Sequence, residues 1–391
     1  MAHDLRGPST SPLRGKVAIA GIGTAGTGEA PGFSAIELLG QAVVNAVADA
    51  GLKLGDVDGI FCASSYHAFP TLSVAEYLGI RPKFFDGTNV GGSSFEAHLL
   101  HAALALDAKL CDVAVICYGS NQRTQGGKLA SMSEPQPFEA PFKPRHPITA
   151  YALATSRHMA QFGTKREQLA EIAVAARGWA NLNPDAFAKG PLSVADVMKS
   201  RMVSDPLSVA DCCLVTDGGA ACVLVRADRA KNLKKPPVYL LGAAGAQWHR
   251  AISMMPDLTV SAASESGPRA YAMAGVSPKD FDLAMLYDAF TICTLLFLED
   301  LGFCPKGEGG RFVEGGAIAP GGKLAVNTNG GGLSCVHPGM YGLFLIVEAV
   351  TQLRREAGAR QLEKCDLALV HGNGGTLSAQ CSAVLGTAAT L

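Results

Sequence analysis

The sequence contains no apolar run that approaches the roughly 18 residues of a membrane-spanning helix, so we expect no membrane span. Charge is also scarce. Only 17% of the residues are charged and the formal net charge is -1, which argues against binding to nucleic acid or to anionic membranes. Because 48% of the 391 residues are hydrophobic, we expect a large core and a surface partly covered by another subunit.

Metal-binding and secretory signals are missing as well. The 11 cysteines are scattered, and neither a CxxC motif nor a Cys/His spacing typical of zinc occurs. We therefore predict no metal site, and reduced thiols in a cytoplasmic protein. Residues 1–14 are polar and contain proline and glycine but no signal-peptide core, which predicts a flexible N-terminal tail.

Two glycine-rich turns are the most informative features that are present. Asn89-Val90-Gly91-Gly92-Ser93-Ser94 lies in the first half, and the stretch from Val326 to Gly339, containing Asn329-Gly330-Gly331-Gly332 and His337, lies near the end. Each turn follows an apolar stretch and precedes a helical pattern. Such a turn directs backbone N–H groups toward a ligand that carries negative charge or a polarised carbonyl. One turn in each half predicts a composite site.

The periodicity indicates a duplicated α/β fold. Apolar runs predict buried strands at Lys16–Ile22, Val57–Ala63 and Val113–Tyr118, and spacing predicts helices at Ser34–Ala50 and Phe95–Leu106. Ala50-Gly51-Leu52 stands six residues before Asp56-Val57-Asp58, and Ala274-Gly275-Val276 stands six residues before Asp280-Phe281-Asp282. This repeat, at an offset near 224 residues, favours duplication over a chance likeness of βα units. We place the halves at 15–265 and 266–391, with a loop-rich lid inserted at about 120–205.

The chain resembles the thiolase superfamily and, within it, the thiolase-like branch related to sterol carrier protein X. The resemblance covers residues 15 to 391. It is carried by Asn327-Thr328-Asn329-Gly330-Gly331 with His337-Pro338, Tyr287-Asp288-Ala289-Phe290, His371-Gly372-Asn373-Gly374-Gly375 and Asp217-Gly218-Gly219. It implies a duplicated thiolase fold with five layers, α/β/α/β/α. It also implies a homodimer that acts on coenzyme A thioesters as substrates, without a tightly bound cofactor.

The first glycine turn departs from the family pattern. Thiolases carry their acylated cysteine at the N-terminus of the helix that follows this turn. The position falls on Gly92, or on Ser93 if the register slips by one residue. A serine ester would be attacked by a CoA thiol less readily than a thioester, so thiolysis through Ser93 or Ser94 is disfavoured; these serines more often cap a helix.

The second half retains groups that polarise a thioester carbonyl. His337 matches the oxyanion-hole histidine, His371 stands where standard thiolases carry their second catalytic cysteine, and Tyr287 replaces a family asparagine or histidine. We therefore select Tyr287, His337, Tyr341, His371 and Asp288 as candidate catalytic residues, and Gly92, Ser93, Ser94, Gly331 and Gly374 as candidate substrate-binding residues. Asp288 either orients Tyr287 or caps a helix. His98 and His101 are interpreted as packing residues, and Asp217 as a structural turn.

The resemblance implies retro-aldol cleavage of a β-hydroxyacyl-CoA, with steroid side chains as the best-known setting, and a DUF35 partner with an OB fold and a zinc ribbon. Two alternatives stay open. One is a thiolase or acyltransferase with a non-standard nucleophile. The other is a non-catalytic subunit that binds acyl-CoA or sterol.

Overall fold

The structure, a computed structural model, describes residues 11–127 and 136–391. The elements of the first part are β1 (Val17–Gly28), α1 (Ala35–Asp49), β2 (Gly59–Cys62), α2 (Pro70–Leu78), β3 (Phe84–Asp86), α3 (Ser94–Asp107), β4 (Val113–Ser120), α4 (Gln122–Gly126), α5 (Ile148–Phe162), α6 (Arg166–Asn181), α7 (Val194–Lys199), β5 (Met202–Ser204), β6 (Leu207–Ser208), β7 (Asp217–Arg226) and α8 (Ala227–Ala230). Those of the second part are β8 (Val238–Gln247), α9 (Ala263–Ala274), β9 (Leu283–Leu286), α10 (Thr291–Asp300), α11 (Gly309–Val313), β10 (Ala325–Val326), α12 (Gly342–Leu353), β11 (Leu367–Gly374) and β12 (Ala379–Gly386).

Strand order shows the duplication directly. The large sheet runs β10-β9-β11-β12-β8-β1-β7-β4-β2-β3, and its two halves meet where Ala18 of β1 pairs with Tyr239 of β8. Read outward from this junction, β1, β7, β4, β2 and β3 correspond to β8, β12, β11, β9 and β10. Gly59 at the start of β2 and Leu283 at the start of β9 are 224 residues apart, as the repeat predicts. In this order β8 holds the place in the second half-sheet that β1 holds in the first.

The repeated aspartates perform the same structural task in each half. Asp58 Oδ1 accepts hydrogen bonds from the backbone N–H groups of Asp112 and Val113, both at 2.8 Å. In the second half, Asp282 Oδ2 accepts from Asp366 at 2.9 Å and Leu367 at 3.1 Å. Each carboxylate thus holds the start of the neighbouring parallel strand. The repeated aspartates in the sequence therefore reflect the same strand-holding hydrogen bonds in both halves.

The helices form three layers, one outside each half-sheet and one between the two half-sheets. Helices α1 and α2 pack on the first half and α9 and α10 on the second, while α3 and α12 contact strands of both halves and lie between them. The predicted five-layer α/β/α/β/α fold is confirmed. Helix α1 begins where predicted, because Ser34 and Glu37 form a reciprocal capping box.

The central layer holds a buried carboxyl group. Glu96 of α3 is 1% exposed, and neither of its carboxyl oxygens has a hydrogen-bond partner among the described residues. It fits only because Gly342 and Gly372 lack side chains; a Cβ on Gly372 would lie 2.1 Å from Glu96 Oε2. Burial raises the pKa of Glu96 to about 8, so the group is a neutral acid at pH 7.

We expect Glu96→Gln to change how stability depends on pH. The unfolded wild type ionises Glu96 near pH 4.5, whereas the folded protein keeps the proton until about pH 8. The wild type therefore loses stability as pH rises between these values, by up to about 5 kcal/mol, and the glutamine variant does not. Denaturant unfolding from pH 5 to 8 measures the difference. A difference that stays constant with pH would contradict the assignment.

The predicted tail and lid are described only in part. Residues 1–10 of the tail and 128–135 of the lid lie outside the described residues. Arg14 Nε donates to the carbonyl of Ala274 at 2.9 Å, which ties the end of the predicted tail to the second half. None of the helices in the described ranges is long and apolar enough to cross a membrane.

Candidate active site

The two glycine turns meet at the floor of one cavity. A Cβ on Gly374 would lie 1.7 Å from the Val90 carbonyl oxygen, and one on Gly91 would lie 2.8 Å from the Gly375 nitrogen, so only glycine allows this approach. The cavity above has a volume of about 640 Å³. Its walls come from both halves of the sheet and from helix α5, which lies in the predicted lid insertion. The contact therefore brings the two glycine turns together beside one cavity.

Tyr287 occupies the space that a side chain at position 92 would need. A Cβ built on Gly92 would lie 2.3 Å from Tyr287 Cε2 and 2.6 Å from the phenol oxygen. Both residues line the cavity. The two departures that the family resemblance implies, a glycine in place of the cysteine at position 92 and a tyrosine at position 287, therefore concern the same space. The ring stands where a side chain at position 92 would project.

This shared space predicts that a cysteine cannot simply be placed at position 92. We expect Gly92→Cys to displace Tyr287, to destabilise the fold by about 1–3 kcal/mol through overpacking and to abolish turnover. The double variant Gly92→Cys/Tyr287→Asn removes the clash and should recover the stability of the wild type. Thermal melting of the single and double variants measures this coupling. Additive losses in the double variant would contradict the shared space.

The phenol of Tyr287 is held by the backbone of the second turn. Its oxygen accepts from Tyr341 N–H at 3.0 Å and donates to the Gly339 carbonyl at 3.3 Å. The ring packs edge-on against His337, with centroids 5.6 Å apart. Burial raises the pKa of Tyr287 well above 10, so the group is a phenol rather than a phenolate.

His337 presents an imidazole without partners to the cavity. Neither ring nitrogen is hydrogen-bonded to any described residue, although the side chain is buried. Its backbone, in contrast, is fixed at both ends: its N–H donates to Thr216 Oγ1 at 3.0 Å and its carbonyl accepts from Gln122 Nε2 at 2.7 Å. Burial lowers the pKa of His337 to about 4. The ring is therefore a neutral group, rigidly placed and free to donate one hydrogen bond to a ligand.

Asp288 holds the turn that leads to His337. Its Oδ1 accepts from Gly332 N–H at 2.7 Å and its Oδ2 from Leu333 N–H at 3.3 Å. A Cβ on Gly331 would lie 2.0 Å from Asp288 Oδ2, so the carboxyl replaces any side chain there. Burial raises the pKa of Asp288 to about 7 despite these bonds. These contacts cap the later glycine turn, a role different from both that were considered from the sequence, which were to orient Tyr287 or to cap the following helix.

Of the predicted catalytic residues, some line the cavity and others do not. Tyr287 and His337 line it, whereas Tyr341 and His371 do not. The Tyr341 phenol donates to Asn329 Oδ1 at 3.0 Å, on the far side of the glycine turn. His371 lies inside β11, where its ring nitrogens are 2.8 Å from Ser382 Oγ and 2.9 Å from Gln380 Oε1.

The predicted substrate-binding residues divide in the same way. Gly92 and Gly374 line the cavity, but Ser93, Ser94 and Gly331 do not. The Ser94 hydroxyl donates to the Gly91 carbonyl at 2.6 Å, and the Ser93 hydroxyl donates to the Val90 carbonyl at 3.3 Å. Both hydroxyls are buried within the turn and serve its geometry. A serine nucleophile would first have to break these bonds.

Most of the cavity residues were not selected from the sequence, among them Asn373, Tyr151 and Cys213. Asn373 follows His371 by two positions on β11, so it shares that side of the strand but lies nearer the cavity. Tyr151 comes from lid helix α5. Cys213 is a thiol in the wall, and burial raises its pKa well above 9, which keeps it protonated. The HGNGG motif could have pointed to Asn373; nothing local marks the other two.

The remaining sequence interpretations concern residues outside the cavity. Asp217 Oδ1 accepts from the N–H groups of Arg123 and Thr124, and its Oδ2 accepts from that of Ala30, which is a structural role. His98 is buried on α3, and His101 pairs with Asp86. Within the described ranges, no cluster of three or more His, Cys, Asp or Glu side chains has the arrangement of a metal site.

Known proteins resemble this chain over nearly its whole length. Residues 244–387 match the family model described as Thiolase C-terminal domain-like. The chain is 34% identical over 359 residues to 17-hydroxy-3-oxo-4-pregnene-20-carboxyl-CoA lyase of Mycobacterium tuberculosis, which covers 88% of this chain and 92% of that protein. It is also 34% identical over 378 residues to Acetyl-CoA acetyltransferase of Methanothermobacter thermautotrophicus, covering 92% and 96% of the two chains.

A solved structure shows the same likeness in three dimensions. The structure named Ltp2-ChsH2(DUF35) aldolase matches with a TM-score of 0.87 and 32% sequence identity, over 96% of this chain and 99% of that chain. The whole-length likeness in sequence and in fold identifies the family. The chain belongs to the thiolase superfamily and, within it, to the sterol-carrier-type thiolase-like branch.

Proposed function

We propose that the protein is a carbon–carbon lyase that cleaves a β-hydroxyacyl-CoA into a ketone or aldehyde and a shorter acyl-CoA. One observation carries this proposal: at Gly92, where the family resemblance places the nucleophile, the Tyr287 phenol fills the space of a side chain, beside a His337 ring that has no partner among the described residues. The relatives named as a lyase and as an aldolase support the same reaction. A steroid side chain is the substrate class that the lyase name suggests.

The reaction balances without an acyl-enzyme. The His337 imidazole donates a hydrogen bond to the thioester oxygen. As the Cα–Cβ bond breaks, its electron pair forms an enolate at that oxygen, and the β-oxygen becomes a carbonyl. The β-hydroxyl proton passes to the Tyr287 oxygen while the phenol proton goes to the α-carbon. Since burial disfavours the phenolate, Tyr287 accepts one proton as it donates another and does not become a phenolate intermediate.

Product analysis tests this proposal. Incubation with β-hydroxyacyl-CoAs in the absence of free CoA should give equal amounts of a ketone or aldehyde and a shortened acyl-CoA. Steroid and straight-chain acyl groups are compared to define the substrate class. An absolute requirement for free CoA would overturn the lyase assignment.

An acyltransferase is the second candidate, because Cys213 lies in the cavity wall and one relative is named an acetyltransferase. Its raised pKa makes Cys213 a poor nucleophile, and its N–H donates to the Ala289 carbonyl at 2.9 Å, which fixes it as part of the wall. A Cys213→Ala variant separates the candidates. Turnover within a few-fold of wild type supports the lyase, and complete loss together with an acylated Cys213 in the wild type supports acyl transfer.

We also propose a homodimer formed through the edge strand β3. Among the strands of the described residues, β3 pairs with β2 alone, and Phe85 on it is 62% exposed; Phe69 and Leu72 are also exposed. An exposed apolar edge strand favours pairing with a second copy. Light scattering should give twice the mass of one chain for the wild type and a monomer for Phe85→Glu. A wild-type monomer would contradict this proposal.

A DUF35-type subunit is proposed as a second partner. The solved aldolase with the same fold is named as a complex with such a subunit. In this chain Phe138 and Phe142 of the lid are 87% and 85% exposed, close in sequence to Pro147 of the cavity wall. A partner on these side chains would cover them and border the cavity mouth. Phe142→Ser should weaken co-purification with such a subunit, whereas Phe85→Glu should affect only dimerisation.

A cytoplasmic location is also proposed. All 11 cysteines are free thiols, which suits a reducing compartment.

A further inference from the structure

A chain of buried polar side chains runs from the cavity wall to helix α9. Asn373 Oδ1 accepts from Gln380 Nε2 at 2.7 Å, and Gln380 Oε1 lies 2.9 Å from His371 Nε2. His371 Nδ1 is 2.8 Å from Ser382 Oγ, which is 3.1 Å from Ser266 Oγ. All five side chains are buried. Of these residues, Asn373 alone lines the cavity.

The phenol of Tyr151 sets the direction of this chain. Its oxygen lies 3.2 Å from the Gly375 carbonyl, which can only accept, so the one phenol proton is donated there. The same oxygen is 2.8 Å from Asn373 Nδ2 and must therefore accept from it. This places Asn373 Oδ1 toward Gln380. Any reversal of the amide would cost the bond to Gly375.

The direction then propagates through the remaining links. Because Gln380 donates to Asn373, its Oε1 faces His371 and accepts. His371 carries its proton on Nε2, and its Nδ1 accepts from the Ser382 hydroxyl. Burial lowers the pKa of His371 to about 3, so the ring remains neutral and can donate on one side while it accepts on the other.

This arrangement leaves one amide proton without a protein acceptor. Asn373 Nδ2 carries two protons, of which one goes to Tyr151, and no second acceptor occurs within the part of the chain that the structure describes. Its Oδ1 is already occupied by Gln380. Because Asn373 lines the cavity, this amide proton is available to a ligand there. A donor of fixed orientation stabilises an oxygen on which negative charge develops.

We propose that Asn373 is a further catalytic residue, which donates its free amide proton to the thioester oxygen alongside His337. Gln380 and His371 act as positioning residues, because they fix which atom of the Asn373 amide faces the cavity. This proposal rests on the proposed function and deepens it. It assigns the asparagine of the HGNGG motif to the oxyanion site. The histidine of the motif acts indirectly, by orienting Gln380, which in turn orients Asn373.

Exchange of α-protons tests this role separately from bond cleavage. The full-length protein is incubated with propionyl-CoA in D₂O, and deuterium at the α-carbon is followed by NMR, since this exchange needs the enolate but no β-hydroxyl substrate. Asn373→Asp replaces the donor by an acceptor at equal size and should lower the exchange rate about 100-fold or more. Gln380→Glu should lower it about 10-fold or more, with little change in KM, because the amide is then free to reverse. Tyr271→Phe, which removes a remote buried phenol bonded to Leu301, is the control.

A second measurement keeps the outcomes distinguishable. Ring ¹⁵N shifts of His371 in the wild type should show the neutral tautomer protonated on Nε2, with the signal identified by its absence in His371→Gln. Protonation on Nδ1 would reverse the chain and overturn the proposal, as would exchange in Asn373→Asp within twofold of wild type. Wild-type protein that neither exchanges α-protons nor cleaves β-hydroxyacyl-CoAs would instead defeat the proposed function, and the tautomer would still decide the orientation of Asn373.

Discussion

Tyr287→Phe is expected to lower kcat for β-hydroxyacyl-CoA cleavage by about 10²–10⁴-fold, the range attributed to a positioned acid–base group. The ring stays in the space left open by Gly92, so the cavity keeps its shape and KM should change little. The loss falls on the proton transfer alone. Steady-state kinetics with a β-hydroxyacyl-CoA measures both parameters.

Two tyrosine variants control for unrelated effects of removing a phenol. Tyr341→Phe removes a hydroxyl bonded to Asn329 outside the cavity wall, while the Tyr341 N–H that holds Tyr287 is kept, so a smaller loss is expected. Tyr271→Phe removes the remote bond to the Leu301 carbonyl and should leave kcat unchanged. If Tyr287→Phe and Tyr271→Phe were equally active, Tyr287 could not be the proton carrier.

Loss of the imidazole donor at position 337 is the second large effect. We expect His337→Leu to lower kcat by about 10²–10³-fold, since it removes one donor to the developing oxyanion. His337→Asn is the matched variant, because it retains an N–H donor in a similar volume and should recover part of the rate. Equal activity of the two variants would show that the polarity of this side chain is unimportant.

The pH dependence gives an independent view of His337. A general base with an ordinary histidine pKa would produce a break near pH 6.5. Because the pKa of His337 is lowered to about 4, the wild-type rate should show no histidine break between pH 5 and 8. The stability contributed by His337 changes with pH in the opposite direction to that contributed by Glu96. Unfolded His337 gains a proton below pH 6.5, so its contribution to stability falls as pH drops toward 4.

Much of the fold was predictable because it is written in local patterns. The offset between Asp58 and Asp282 identified the two halves, since each aspartate latches a strand by bonding to nearby backbone. The Ser34 cap marked the start of α1. The pairing of β8 with β1 and β12 could not be predicted from the sequence, because it joins segments that are distant along the chain.

The site was predictable only where residue type and turn geometry determine direction. Gly92, Tyr287, His337 and Gly374 were selected from motifs and line the cavity. Tyr341 and His371 were selected in the same way, but their side chains take partners on other elements. Which side of a strand or turn faces a cavity depends on contacts between distant segments, and the sequence does not display them.

Cys213 shows the same limit from the opposite direction. It follows a loop after β6, and no motif marks it as a cavity residue. The wall that it joins includes Ala289 and Phe290, more than 70 residues later in the chain, so only the assembled fold reveals the thiol. Its protonated state then follows from burial, which raises its pKa.

The central claim is that the carbon–carbon bond is cleaved while the acyl group stays on its CoA and is never transferred to the protein. The most direct test supplies isotopically labelled free CoA during turnover. Quenched reaction mixtures are examined for label in the acyl-CoA products and for the mass of the intact protein. We predict that the product keeps the CoA of its substrate, that no label enters it, and that the protein mass is unchanged. Label in an acyl-CoA product, together with an acylated protein formed at the catalytic rate, would contradict the account.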